Sequence, residues 1–147
     1  MRSMHAPPHR HGLTLVELVL VMTIMALISA VGLHELRLQL DRIAVRGAVA
    51  EAATVVTRAR DEARAQRSMV DLHIDTVRGT MLLRARGQRL AYHALGHAHG
   101  VSLSTSRDSI LFDPRGLGYG VANLTLVVRR GSAADTLVVS RLGRTRF

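Results

Sequence analysis

From Leu13 to Leu33 the chain carries one charged residue, Glu17. At a helical rise of ~1.5 Å per residue this run spans about 30 Å, the thickness of a bilayer's hydrocarbon core. A helix satisfies its own backbone polar groups and so can sit in lipid. The run is apolar on all sides, so it has no amphipathic face to dock on a soluble core. A short basic leader precedes it, residues 1–12, with Arg2, Arg10 and three histidines and no acid. Positive charge flanking a first apolar span keeps that flank in the cytoplasm, so the remainder of the chain is expected on the far side of the inner membrane. A secretory signal would end its apolar core at a small-residue cleavage site. Here the small residue, Gly12, comes before the core, and a cut there leaves the helix on the mature protein.

Glu17 is the residue that needs an explanation. A carboxylate in hydrocarbon costs ~3 kcal/mol or more, so it calls for a cationic partner. No arginine lies within the span, and after a cut at Gly12 the nearest positive charge is the new amino terminus. The other reading is an interfacial glutamate reaching back to the membrane edge.

The string Gly12-Leu13-Thr14-Leu15-Val16-Glu17-Leu18 resembles the class III signal of type IV pilins and type II secretion pseudopilins. The resemblance implies a prepilin peptidase cut between Gly12 and Leu13, N-methylation of Leu13, and pairing of Glu17 with the Leu13 ammonium of a neighbouring subunit, which sets filament register. Two departures stand out. Leu13 replaces the usual Phe, and His34 stands where many pilins bend the helix at a proline.

Beyond Leu33 the pattern becomes amphipathic. Leu36, Leu40, Ile43, Ala44, Ala48, Ala52, Val55, Ala59 and Ala63 recur at spacings near three and four. No proline occurs between Pro8 and Pro114. These patterns predict one nearly continuous helix from about Thr14 to Arg67, with Gly32 and Gly47 as its weak points. Residues 13–33 form the membrane and filament-core half, and residues 34–67 the half that packs on a globular domain.

Residues 68–147 alternate with period two. Strands are predicted at Val70–Ile74, Thr80–Arg84, Arg89–Leu95, Val101–Ser104 and Ile110–Phe112, then Asn123–Arg130 paired with Thr136–Arg141 across Gly131–Asp135. Arg144–Phe147 is predicted as an edge strand. Gly96–Gly100 and Asp113–Gly120 are predicted as loops, and His73 as an exposed strand residue. The fold class is therefore α+β: a long N-terminal helix packed on a small antiparallel β-sheet domain. The turn Phe112-Asp-Pro114-Arg-Gly116 and the closing run Ser140, Gly143, Arg144 and Arg146 resemble the GspH/FimT group, which includes the minor pseudopilin H of type II secretion. That likeness implies a periplasmic domain whose partners are other pseudopilins, the prepilin peptidase, the inner-membrane assembly platform and the lipid bilayer.

Composition excludes several chemistries. There is no cysteine, so neither a disulfide nor thiol catalysis is available. All 20 basic residues are arginine, which removes Schiff-base lysines and the phosphate-loop lysine. Gly116, Gly118 and Gly120 precede a strand rather than open a helix, which argues against a nucleotide loop. Asp108 and Asp113 supply too few oxygens for calcium. His93, His97 and His99 cluster locally, but with no carboxylate among them in the sequence they read as a surface loop rather than a metal site. No catalysis, metal or cofactor is expected. The formal net charge of +9 favours anionic partners. Arg129, Arg130, Arg141, Arg144 and Arg146 form the alternative reading: an Arg-rich terminal strand that grips DNA phosphates, as the resemblance to FimT implies.

Overall fold

The computed structural model describes residues 14–119 and 123–147. The predicted cut site, Gly12 and Leu13, and the last residue of the predicted 113–120 loop lie outside them. Helix α1 runs Leu15–Ala65. The chain divides into two compact units, the first ending at Leu36 and the second comprising Arg37–Phe147.

In the first unit every described residue is exposed. Leu15, Val19, Ile24, Ile28 and Val31 present their side chains outward on all sides of the helix. Among the described residues this is the one helix long and apolar enough to cross a membrane.

The second unit is a sandwich-like head in which the rest of α1 packs against two antiparallel sheets. The strands are β1 (Val70–Asp75), β2 (Thr80–Ala85), β3 (Gln88–His93), β4 (Ser102–Thr105), β5 (Ser109–Phe112), β6 (Gly118–Tyr119), β7 (Leu124–Arg130), β8 (Ala133–Val139) and β9 (Thr145–Arg146). One sheet has the order β3-β2-β1-β5-β6 and the other β4-β7-β8-β9. In β1 the alternation is complete, with Val70, Leu72 and Ile74 buried and the residues between them half-buried. On α1 the buried residues are Val45, Ala48, Val49, Ala52, Val55, Val56, Ala59 and Ala63. They share one core with Leu72, Leu83, Phe112, Leu126, Leu137 and their neighbours. Alanines and valines on the helix let both sheets come close, and the large side chains of the strands fill the space. Each fully buried Leu or Phe contributes roughly 1.5–3 kcal/mol relative to leaving it in water.

The structure corrects five expectations. Leu36, Leu40 and Ile43 are exposed, at 54%, 50% and 66%, so the packed face begins at Val45. Their mutual spacing suits a buried face, but at 3.6 residues per turn they fall about half a turn round α1 from Asp41, Val45, Ala48 and Ala52, the side that meets the strands. The 96–100 segment is not a loop: it belongs to a short helix α2 (Leu95–His99), anchored by the buried Leu95 and ended by Gly100 in the left-handed region. The segment from Asp113 holds β6 at Gly118–Tyr119, paired with Leu111 and Phe112. Strand β8 starts at Ala133, because Gly131 (φ 54°) lets a two-residue turn join Arg130 to its partner Ala133. His73 is half-buried, since β1 is an inner strand with β2 and β5 on its flanks.

Candidate functional site

Glu17 stands in the first turn of α1. Thr14 caps that turn: its Oγ1 accepts from the Glu17 N–H at 3.2 Å and its carbonyl from the Leu18 N–H at 3.1 Å. Thr14-Leu15-Val16-Glu17 also has the spacing of a capping box, and an acid in the first turn meets the positive end of the helix dipole. The glutamate thus suits the start of its own helix, apart from any partner in a filament. The sequence carries that signal openly, as Thr-x-x-Glu ahead of an apolar run. Leu13, whose amino group is the expected partner of Glu17, lies outside the described residues.

A second cluster joins the middle of α1 to the head. Glu51 receives both His93 and His99: its Oε1 lies 3.1 Å from His93 Nδ1 and its Oε2 2.8 Å from His99 Nε2. The hydrogen bond from His99, and more weakly that from His93, holds the Glu51 carboxyl below its ordinary range, against the opposing effect of partial burial. His97 is exposed on α2. The histidines are therefore not a plain surface loop. Two of the three share one carboxylate, which lies 42 and 48 residues away in sequence. Gly47 makes room for this, since a Cβ there would sit 3.3 Å from the His99 ring. Further back along α1, Asp41 Oδ1 pairs with Arg130 Nε at 2.9 Å, and Arg130 Nη1 donates to the His99 carbonyl at 2.7 Å. Among the described residues no group of three or more His, Asp or Glu is disposed to hold a metal ion.

The five arginines expected to contact anions do not form one patch. Arg129 and Arg130 end β7 beside the hairpin turn, whereas Arg141, Arg144 and Arg146 follow the opposite end of β8. At ~3.4 Å per residue, the seven residues of β7 put about 20 Å between these ends. Arg130 is half-buried and committed to Asp41, while Arg129, Arg141, Arg144 and Arg146 are exposed.

Near that second group the Phe112–Gly116 turn meets the Ser140–Arg146 run. Gly116 (φ 76°) and Gly143 (φ 70°) are both buried, and a Cβ on Gly143 would lie 3.2 Å from the Gly116 carbonyl oxygen. Side chains from α1 thread beneath them: Arg64 Nε donates to the Arg115 carbonyl at 2.9 Å, and a Cβ on Gly116 would strike that Nε. Only glycine provides both the backbone conformation and the space. Asp113 closes the turn by accepting from the Leu117 and Arg115 N–H groups at 2.9 Å each and from Arg115 Nε at 3.0 Å. These bonds, that from Leu117 foremost, hold its carboxyl below the ordinary range and make Asp113 the residue that shapes this turn.

Residues 7–33 match the family described as the prokaryotic N-terminal methylation motif. The chain is 33% identical over 155 aligned positions to the pilin-like protein PilA1 of Thermus thermophilus, covering 94% of this chain and 98% of that protein. In fold it is similar to the type IV minor pilin FimU of Pseudomonas aeruginosa. One crystal form gives a TM-score of 0.60 at 19% identity, over 71% of this chain and 88% of that one. A second gives 0.56 at 17%, over 69% and 90%. With kinship to PilA1 along nearly its whole length, a matching methylation motif and this architecture, the chain belongs to the pilin-like proteins, a family related to type IV pilins.

Proposed function

We propose that the chain is a minor pseudopilin of a type II secretion system. A prepilin peptidase trims it between Gly12 and Leu13, and Leu13 is then N-methylated. Residues 13–33 hold it in the inner membrane, leader inward and head in the periplasm. The assembly platform draws it into a periplasmic pseudopilus with other pseudopilins, and the filament's growth helps move exoproteins through the outer membrane. The observation that carries this reading is an apolar helix, exposed at every described residue as far as Arg37, with Glu17 as the sole acid of its membrane-length span. Such a surface is stable only in lipid or against other helices of the same kind. The motifs at Phe112–Gly116 and Ser140–Arg146 support the GspH/FimT branch.

The test is Glu17→Ala. Membrane fractionation should find the variant inserted as before, while cross-linking of purified filaments should find it missing. Normal incorporation would remove the role given to Glu17.

A second reading, DNA uptake in the manner of a FimT-like minor pilin, draws on Arg141, Arg144 and Arg146, all exposed at one end of the second sheet. Gel-shift titration at low and moderate salt tests it. DNA contact predicts binding that weakens steeply with salt and is lost on replacing the three arginines. Salt-insensitive binding, or none, rejects it.

A further inference from the structure

Two adjoining hollows in the head share Tyr119 and Arg141. The larger is an open cleft of about 720 Å³ that also reaches Asp113, Arg115 and Leu142. The smaller runs on to Arg107. Three guanidinium groups therefore border one surface, and the acid among the lining residues, Asp113, is already engaged. Asp113 accepts from two backbone N–H groups and from Arg115, whose side chain remains 80% exposed. Arg107 and Arg141 are exposed and make no ion pair among the described residues. Between the charges lie apolar groups that a soluble surface ordinarily covers, Tyr119 at 70% exposure and Leu142 at 54%.

Unspent positive charge around an apolar centre narrows the class of ligand. A sugar-phosphate backbone would satisfy the arginines and leave Leu142 in water. An extended peptide with carboxylates on either side of an apolar side chain satisfies both, because guanidinium groups take carboxylates in a two-point fork. The geometry points to a docking cleft for an acidic segment of a partner protein, with carboxylates on Arg107 and Arg141 and an apolar side chain against Tyr119 and Leu142. Arg115, steadied by Asp113, supplies the third positive charge at the rim. The assignment goes beyond the secretion-filament reading and competes with the DNA reading for Arg141.

The test uses the full chain in non-ionic detergent and fluorescence anisotropy of a short labelled peptide of glutamates around central leucines. Saturable binding is expected, weakened about tenfold or more by Arg107→Glu combined with Arg141→Glu, because reversed rim charges repel the ligand. Tyr119→Ala should weaken it several-fold without altering charge, which guards against a folding defect in the charge-reversed variant. Arg89→Glu, on the opposite edge strand β3, should leave it unchanged. The same peptide with glutamine for glutamate should not bind. Equal binding of the glutamine peptide, no saturable binding of the acidic one, or indifference to the cleft substitutions would overturn the proposal. So would a single-stranded oligonucleotide that binds through Arg107 and Arg141 and is not displaced by the peptide, which would assign the cleft to nucleic acid.

Discussion

Two stretches of α1 solve the same problem in opposite ways. Leu15–Leu33 is built mainly from large apolar side chains, and all of them are exposed. Val45–Ala63 buries only alanine and valine, nearly to zero exposure. The first stretch has a surface and no partner within the described chain; the second has a partner and turns only small side chains to the core. A helical backbone is common to both. What separates them is side-chain volume, because a helix can lie close to a sheet only where its facing residues are small.

Substitutions that exchange the two chemistries test this contrast. The largest effect should come from Ala59→Leu, which forces a bulky group into a site with no exposed surface. It should destabilise the head by about 1–3 kcal/mol, read as a shift in urea midpoint of the full chain in detergent. An unchanged midpoint would mean that the face is not close-packed.

A smaller effect is expected from Glu51→Gln, which weakens the ties from His93 and His99. Since the folded chain holds this carboxyl below its ordinary value of 4.5, the stability it brings is present above that value and is lost as pH falls through the folded pKa. Melting curves should therefore show the variant below the parent at neutral pH and the two converging in acid. A gap that persists or widens in acid would contradict this. The smallest effect should come from Leu27→Ala in the exposed stretch: head stability should stay within about 0.5 kcal/mol, because Leu27 contributes nothing to the core.

Much of this arrangement is legible in the bare sequence, wherever it depends on local pattern. The apolar run, the absence of proline and the period-two alternation of Val70, Leu72 and Ile74 lead to the helix and to β1. The polar ties are not legible, because they depend on which distant residues the fold brings together. Nothing local to His93 or His99 indicates Glu51, and nothing around Arg130 indicates Asp41. Arg129 and Arg130 carry the same charge as Arg141, Arg144 and Arg146, but the hairpin sends the two groups to opposite ends of one strand pair. The start of the packed face is a question of phase: Leu36, Leu40 and Ile43 share a helical spacing, but they lie about half a turn from Val45, Ala48 and Ala52, and the fold takes the second set. Gly116 and Gly143 read in sequence as parts of two separate motifs, and only the fold makes them neighbours.

The ties at Asp41 and Glu51 have a mechanical consequence. Asp41 holds Arg130 in one sheet, and Glu51 holds His93 in the other and His99 on α2. Both anchor points lie within about 15 Å along the helix, at 1.5 Å per residue. A pull on residues 37–65 toward the amino terminus would pass tension into both sheets through these short spokes before the strain reached Ala52–Ala63. The greasy contacts further along would then be shielded from shear, and the sheets would travel with this length of helix instead of peeling from it.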